Sequence, residues 1–190
     1  IIGITGSVGK TSTKEIIASV LSEKYQVLKT EGNYNNEIGM PLTMLKIRDN
    51  HQIAVIEMGI SDFGEMHRLA NISKPDVCVI TNIGTCHLEN LGDRDGVFRA
   101  KTEMFEHAQK DCFVVLNGDD DKLINVKEVN GHEPMFFGIN TKQNVGIVSH
   151  TSKGVMGTEV EIRYFDKTFT TLIPIPGFHM IYNALAATCI

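Results

Sequence analysis

The sequence predicts an α/β fold: a mostly parallel sheet with helices on both faces, organised around a phosphate-binding loop, plus a small antiparallel β subdomain. Short apolar runs alternate with helical patterns over residues 1–130, which is typical of parallel strands buried on both faces. The first apolar run breaks into the glycine-rich stretch 5–11. After residue 130, short strand patterns follow one another with no helical pattern between them. We therefore expect one domain, with an α/β core over 1–130, an antiparallel layer over 131–175 and the start of a last helix over 176–190.

The stretch Thr5-Gly6-Ser7-Val8-Gly9-Lys10-Thr11 lies where a strand passes into a helix. Glycines let the backbone approach phosphate oxygens, and the N–H groups at the amino end of the helix point at them. Lys10 can reach the β- and γ-phosphates of a nucleotide, and the Thr11 hydroxyl can bind Mg²⁺. The strict Walker A spacing requires glycine where Ile4 stands, and an ordinary glycine turn is the alternative interpretation. The predicted phosphate-binding residues are Thr5, Gly6, Ser7, Val8, Gly9, Lys10, Thr11 and Ser12.

The other elements follow from the same periodicities. Helices are predicted over 10–23, around Pro41, over 63–70, over 93–110, shortly after 117–121 and from His179 onward. Core strands are predicted over 25–30, 53–58, 77–81 and 112–116, and antiparallel strands over 136–138, 145–150, 158–164 and 168–173.

Polar residues stand at the carboxyl ends of the predicted core strands, where open α/β sheets bind ligands. Asn33, Asn35 and Asn36 follow the second strand, Glu57 closes the third, and Asn82 and His87 follow the fourth. A carboxylate beside a phosphate-binding loop is a natural magnesium ligand, directly or through water; the alternative for Glu57 is a solvated loop carboxylate. His87 is a candidate for binding a metal or a phosphate, although a single loop histidine is more often simply solvent-exposed.

Lys101 occupies an unexpected position. It lies on the apolar stripe that Val97, Met104, Phe105 and Ala108 form on the predicted long helix. An unpaired ammonium is costly to bury, so such a lysine extends to the surface, pairs with an acid or loses its proton. A lysine with a lowered pKa is also reactive towards electrophiles.

Asp119, Asp120 and Asp121 follow Asn117 and Gly118. They form either a metal-binding cluster or a turn and helix N-cap, and we favour the cap because such residues are typical of turns before helices.

Composition excludes several classes of protein. The net charge of −5 argues against nucleic-acid binding, which needs clustered Lys and Arg. No apolar run approaches the ~18 residues that suggest a membrane span. The four cysteines form no Cys-x-x-Cys pair, so we expect reduced thiols in the cytoplasm. The chain opens inside a strand without Met and closes inside a helix, and we expect it to be a piece of a longer protein.

Several motifs together resemble the central ATP-binding domain of the Mur ligases, over essentially the whole chain. They are the loop 3–11, the block Gly32-Asn33-Tyr34-Asn35-Asn36-Glu37-Ile38-Gly39-Met40-Pro41-Leu42-Thr43, Glu57-Met58-Gly59, Thr81-Asn82-Ile83-Gly84 with His87, Ala100-Lys101-x-Glu103, and His179 with Asn183-Ala184-Leu185-Ala186-Ala187. The asparagine-rich block and Glu-Met-Gly are most similar to the branch that joins D-alanyl-D-alanine to UDP-N-acetylmuramoyl-tripeptide.

The resemblance implies an ATP-dependent amide ligation through an acyl phosphate, in a monomeric enzyme of the bacterial cytoplasm. It implies that Lys10 holds the β- and γ-phosphates, that Thr11 and Glu57 bind a first Mg²⁺ and His87 a second, and that Asn36 lies near the γ-phosphate. It further implies that Lys101 carries a carbamate, and that Asn183, with His179 nearby, contacts adenine. Met180 and Phe178 depart from the family pattern there. The family's amino- and carboxyl-terminal domains are not part of this chain, so we expect weak ATP binding and no ligation by these 190 residues alone.

Two alternatives stay open from the sequence. The first is a related ligase of another branch, similar to folylpolyglutamate synthase, which keeps the chemistry and changes the substrate. The second is a nucleotide-binding module without catalysis, whose function would not depend on Lys101.

Overall fold

The computed structural model describes residues 1–140 and 143–190. Over this part of the chain, nine strands form one sheet. The strands are β1 (Ile2–Thr5), β2 (Val27–Lys29), β3 (Ile53–Glu57), β4 (Val77–Ile80), β5 (Phe113–Asn117), β6 (Met135–Phe137), β7 (Val145–Ser152), β8 (Thr158–Tyr164) and β9 (Lys167–Ile173). The α-helices are α1 (Lys10–Ser22), α2 (Gly39–Met44), α3 (Glu65–Ser73), α4 (Leu88–Leu91), α5 (Arg94–Thr102) and α6 (His179–Thr188); 3₁₀ turns span Glu103–His107, Leu123–Asn125 and Gly154–Met156.

The core consists of two apolar layers, one on each face of the sheet. Successive side chains of a strand point to opposite faces, so Ala54 and Ile56 of β3 pack in one layer and Val55 in the other. The first layer is closed by α2, α3 and α5, and the second by α1 and α6. Burial on both faces explains why the core strands are continuous apolar runs in the sequence.

The strand order β2-β3-β1-β4-β5-β6-β7-β8-β9 places β1 between β3 and β4, both parallel to it. The chain therefore leaves β1 towards one side of the sheet and later crosses to the other side. This reversal creates a crevice at the carboxyl end of β1, which is where ligands bind in folds of this kind. The expected α/β fold with a mostly parallel sheet is confirmed.

The antiparallel part differs in detail from the expected layer. Strands β7, β8 and β9 are antiparallel neighbours, but they extend the edge of the same sheet. The strand expected over 136–138 pairs in parallel with β5, with Val115 opposite Met135. The chain between these two strands returns to the starting end of β5, and this return makes the pairing parallel.

The helix expected over 93–110 is also divided. Asp93 caps α5 by accepting a hydrogen bond from the Gly96 backbone N–H at 2.8 Å, and after Thr102 the backbone continues as the 3₁₀ turn Glu103–His107. The short helix α4 follows His87 where a loop was expected. Among the residues described, no helix has the length and apolar character needed to cross a membrane.

Asp120 connects the ends of two core strands. Its Oδ1 accepts hydrogen bonds from the backbone N–H groups of Lys122, at 2.9 Å, and Leu123, at 3.1 Å. Its Oδ2 accepts from the backbone N–H of Ile83, just after β4, at 2.7 Å. Asp120 is nearly buried, so the interpretation of these aspartates as turn and cap residues is confirmed for it.

Replacing Asp120 by alanine removes these acceptors and leaves the buried Ile83 N–H unpaired. We expect Asp120→Ala to lower the free energy of unfolding by about 2 kcal/mol. The matched control is Asp121→Ala, since the side chain of Asp121 is exposed and pairs with Arg94 at the surface. Urea titration followed by circular dichroism measures both variants, and equal effects would contradict the role assigned to Asp120.

Candidate functional site

Two glycines shape the loop between β1 and α1. Gly6 has a φ of 148° and Gly9 a φ of 83°, backbone conformations that L side chains rarely adopt. A Cβ atom at Gly6 would lie 1.9 Å from Thr81 Oγ1, and one at Gly9 would lie 2.7 Å from Asn183 Oδ1. Glycine at both positions therefore allows the loop to pack directly against the end of β4 and against α6.

Asn82 supports the loop from the carboxyl end of β4. Its Oδ1 accepts hydrogen bonds from the backbone N–H groups of Ser7, at 3.1 Å, and Val8, at 3.0 Å. The carbonyl oxygen of Val8 accepts from the Thr81 hydroxyl at 2.6 Å. The hydroxyl oxygen of Ser7 accepts from the Gly84 N–H at 2.7 Å. The loop is thus held in shape by its neighbours.

The amino end of α1 follows the loop directly, at Gly9, and carries no side-chain cap. Its first N–H groups have no acceptor within the helix, and together with the helix dipole they favour an anion. Lys10 bends back so that its Nζ donates to the Gly6 carbonyl oxygen at 2.9 Å. Ser12 lies half-buried in the same turn. This geometry matches a phosphate-binding loop.

Glu57 is buried at the end of β3, beside the loop, because the sheet register pairs it with Ile4. Its Oε1 accepts hydrogen bonds from the Thr11 hydroxyl at 3.1 Å and from Asn35 Nδ2 at 2.7 Å. Its Oε2 is buried and lacks a hydrogen-bond partner among the described residues. The structure therefore brings Thr11 and Glu57 together, as expected.

These groups fit a magnesium ion. Mg²⁺ prefers oxygen ligands, above all one or two carboxylates together with phosphate oxygens. Glu57 Oε2, which accepts no hydrogen bond among the described residues, and the hydroxyl of the exposed Thr11 supply such oxygens next to the amino end of α1. The side-chain oxygen of Thr5, at the start of the loop, is also buried without a partner in the described chain.

Two other residues predicted for the site, Asn36 and His87, make no contact with Glu57 among the hydrogen bonds of the described chain. Asn36 Oδ1 accepts from the backbone N–H groups of Ile38, at 3.2 Å, and Gly39, at 2.8 Å, so this oxygen holds the start of α2. The side chain of His87 is exposed and makes no hydrogen bond or ion pair with the described residues. The His87 backbone is left-handed, with a φ of 55°.

A cavity of about 360 Å³ lies between the loop, at Gly9, and α6. Gly9, Asn117, His179, Tyr182 and Asn183 are among the residues that line it. Asn183 is buried, and its Oδ1 accepts from the Thr13 hydroxyl at 3.2 Å. His179 and Asn183, both predicted to lie near adenine, thus share one cavity that begins at the phosphate-binding loop.

The comparison with known proteins agrees with this geometry. A family model described as the Mur ligase middle domain matches residues 4–190. The chain belongs to the Mur ligase family. A UDP-N-acetylmuramoyl-tripeptide–D-alanyl-D-alanine ligase from Bacillus subtilis is 41% identical to it over 187 residues, which cover 98% of this chain. Among solved structures, MurF from Acinetobacter baumannii matches 98% of the chain with a TM-score of 0.91 and 34% identity.

A second solved structure, MurF from Thermotoga maritima in complex with ADP, covers 99% of the chain with a TM-score of 0.87 and 34% identity. The chain spans 40% of the length of the B. subtilis relative, and 41% and 44% of the A. baumannii and T. maritima chains.

Lys14 is a residue of this Mur ligase domain that the sequence analysis missed. It is fully buried, donates to the Thr30 carbonyl oxygen at 2.7 Å, and lies 3.7 Å from Glu57 Oε2. It shares the buried face of α1 with Ile17 and Ala18. The pattern that singled out Lys101, a lysine on the apolar stripe of a helix, would also have found Lys14.

Lys101 is buried, as its place on the stripe suggested, with only 2% of its surface exposed. It makes no hydrogen bond or ion pair within 1–140 and 143–190. Burial lowers the pKa of Lys101 to about 8, and the positive charge of Lys10 adds to this effect while Cys86 opposes it. Lys101 therefore lies close enough to the loop to respond to the charge of Lys10.

The lowered pKa makes stability depend on pH. Below about pH 8 the Lys101 ammonium is charged in both the folded and the unfolded chain. The whole free-energy cost of burying its charge then lowers the stability of the folded state. The penalty fades as the pH rises from about 8 towards the ordinary value of 10.5. Lys101→Met should therefore increase the free energy of unfolding most below pH 8, and the pH-dependent part of this gain is about 3 kcal/mol.

Denaturant titrations between pH 7 and pH 10.5, in buffer free of magnesium and bicarbonate, measure this difference. Lys110→Met replaces an exposed lysine and is the control, for which we expect no such trend. A gain for Lys101→Met that stays constant over this pH range would contradict the assignment.

Proposed function

We propose that this chain is the ATP-binding part of an ATP-dependent amide ligase that joins D-alanyl-D-alanine to UDP-N-acetylmuramoyl-tripeptide in peptidoglycan precursor synthesis. The observation that carries the proposal is Glu57, held against the Thr11 hydroxyl at the uncapped end of α1, with one oxygen that accepts no hydrogen bond among the described residues. The substrates are those in the names of the B. subtilis and Escherichia coli relatives, which are 41% and 34% identical. These relatives favour this branch over a ligase similar to folylpolyglutamate synthase.

ATP binds across the loop. Its phosphates contact the N–H groups at the start of α1, and Lys10 leaves the Gly6 carbonyl to bind the β- and γ-phosphates. Its adenine enters the cavity beside His179 and Asn183. The Nδ2 of Asn36 has no hydrogen-bond partner in the described chain and can donate to the γ-phosphate, while its Oδ1 caps α2.

Thr11 and Glu57 hold a first Mg²⁺, and His87 takes part in a second site. Bound magnesium neutralises the charge of the phosphates and so lets a substrate carboxylate approach them. His87 is exposed and follows Cys86, whose thiol contacts the Ser7 hydroxyl of the loop at 3.2 Å, so its side chain is accessible to a ligand near the loop.

The reaction begins when an oxygen of the substrate carboxylate attacks the γ-phosphorus. The bond from this phosphorus to the β,γ-bridging oxygen breaks, which yields ADP and an acyl phosphate. The amine of D-alanyl-D-alanine then adds to the acyl carbon, and the tetrahedral intermediate loses inorganic phosphate and a proton to give the amide. Lys10 stabilises the charge that develops on the phosphates, so the protein acts mainly by positioning and electrostatics.

Lys101 acts as a carbamate in this proposal. Its pKa of about 8 leaves about a tenth of the amine neutral at pH 7. The amine nitrogen adds to the carbon of CO₂ and loses a proton, which replaces an unpaired buried cation by an anion near Lys10. The structure offers the ammonium no partner among the described residues, which supports a modification that changes its charge.

The full ligase works as a monomer in the bacterial cytoplasm and contains further segments that bind the UDP-sugar and complete the ATP and amine sites. The 190 residues alone bind ATP weakly and do not form the amide.

Nucleotide binding tests the proposal on the chain itself. Lys10→Ala should weaken the binding of Mg-ATP by at least about tenfold, since a hydrogen bond to a charged group contributes about 1.5–3 kcal/mol. Lys110→Ala, which changes an exposed lysine outside the loop, should leave the affinity unchanged. Isothermal titration calorimetry measures both variants, and equal affinity of Lys10→Ala and the unchanged chain would refute the assignment of the loop.

Turnover tests the reaction and the carbamate. A protein that carries this chain between the terminal segments of its relatives should release phosphate only when ATP, UDP-N-acetylmuramoyl-tripeptide and D-alanyl-D-alanine are all present. Lys101→Ala should lower kcat by at least about 100-fold while Mg-ATP still binds, and added acetate or propionate should restore part of the rate. Normal turnover by Lys101→Ala would exclude the carbamate, whereas tight nucleotide binding with no phosphate release by either protein would favour a nucleotide-binding module.

A further inference from the structure

Three side chains that can bind a metal meet on the surface of the protein. They lie outside the proposed ATP site, on the face of the sheet that α2, α3 and α5 cover. They are His67 of α3 and Glu106 and His107 of the 3₁₀ turn that follows α5. His67 Nδ1 lies 2.9 Å from Glu106 Oε2 and 3.1 Å from His107 Nε2. One ligand atom from each residue lies within 4.8 Å of the other two.

One hydrogen bond, between His67 Nδ1 and Glu106 Oε2, accounts for part of the arrangement. An ionised carboxylate only accepts hydrogen bonds, and each neutral imidazole donates through just one nitrogen. His107 Nε2 lies 3.1 Å from His67 Nδ1 and 3.2 Å from His67 Nε2, over the face of an edge-to-face ring pair with centroids 4.2 Å apart. A cation bound by all three residues would use one lone pair from each, after the exposed His67 ring turns so that one of its nitrogens faces His107.

The distances suit a small divalent ion. For tetrahedral zinc with bonds of about 2.0–2.1 Å, neighbouring ligand atoms lie roughly 3.3 Å apart. The two contacts of His67 Nδ1, at 2.9 and 3.1 Å, are close to this spacing. Two histidines and one glutamate are also a donor set that zinc uses in proteins with an open fourth position.

The surroundings hold the ligands in place and leave that position accessible. The carboxylate of Glu103 accepts hydrogen bonds from the backbone N–H groups of Gly64, at 3.0 Å, and His67, at 3.1 Å, which fixes the start of α3 against the 3₁₀ turn. Glu106 borders an open groove of about 480 Å³, from which water can reach a bound ion. Glu103 also adds negative charge near the cluster.

We propose that His67, Glu106 and His107 form a surface site for a borderline divalent cation of the zinc class, with water completing the coordination. Mg²⁺ does not compete, because it prefers oxygen ligands in an octahedral arrangement. The ion joins α3 to the segment that directly follows α5, the helix that carries Lys101. Bound metal therefore stabilises the packing of these two elements, and its release leaves the ATP site assembled.

The experiment is a titration of the metal-free chain with ZnCl₂ by isothermal titration calorimetry, in excess MgCl₂ to occupy the magnesium site. We expect saturable binding of one Zn²⁺ per chain and a rise in the thermal unfolding temperature that saturates at the same ratio. Co²⁺ should bind at the same site and give visible absorption bands of histidine coordination without the intense charge-transfer band of thiolate ligands.

The variants separate this site from the cysteines and from the ATP site. The double variant His67→Gln/His107→Gln removes two of the three ligands and should weaken Zn²⁺ binding by at least about 100-fold. Substituting even a residue that only hydrogen-bonds to a metal ligand costs roughly 10–100-fold in affinity. Glu106→Gln keeps the shape of the side chain and should weaken it by at least about tenfold. His132→Gln changes an exposed histidine outside the cluster and should bind like the unchanged chain.

Circular dichroism of the variants checks that they are folded. Absence of Zn²⁺ binding by the unchanged chain overturns the proposal. Equal Zn²⁺ affinity of the folded Glu106→Gln chain or of the folded double variant also overturns it, and so does thiolate absorption with Co²⁺.

Discussion

The buried carboxylate of Glu57 is the group on which the rest of the site depends. Burying a charge is costly unless hydrogen bonds and opposite charges compensate it. Thr11 and Asn35 donate to one of its oxygens, and the ammonium of Lys14 lies 3.7 Å from the other. These three residues belong to α1 and to the asparagine-rich loop after β2. One carboxylate at the end of β3 thereby fixes α1 and that loop relative to the sheet.

Direct contacts also join the loop to the helix that lines the neighbouring cavity. Asn183 of α6 lies against Gly9 of the loop and accepts a hydrogen bond from Thr13 of α1. The helix predicted to contact adenine is therefore attached directly to the helix predicted to contact phosphate. Tyr182, beside Asn183, donates its hydroxyl proton to Asp119 at 3.0 Å, and burial together with this contact raises the pKa of Tyr182 to about 12. The cavity wall thus continues to the end of β5.

The fold, and the meeting of Thr11 with Glu57, could be predicted because they depend on patterns that the chain displays locally. Continuous apolar runs indicate strands buried on both faces, and polar residues at strand ends meet at one edge. The strand β6 has only three residues, and so short an apolar run is equally compatible with parallel and antiparallel pairing. Its parallel pairing could therefore not be predicted. The neighbours Asn35 and Asn36 could not be told apart either, since the turn geometry decides which one faces Glu57. Lys14 was missed although its position on a buried helix face carried the same information as that of Lys101.

A crystal structure of this chain with Mg²⁺ and a non-hydrolysable ATP analogue tests the central claim most directly. The account predicts magnesium about 2.1 Å from the Thr11 hydroxyl oxygen, with Glu57 bound to it directly or through one water. It also predicts the γ-phosphate within hydrogen-bonding reach of Lys10 and adenine in the cavity beside Asn183. A nucleotide bound with its phosphates away from the loop, or a metal ion that Glu57 does not contact, would contradict it.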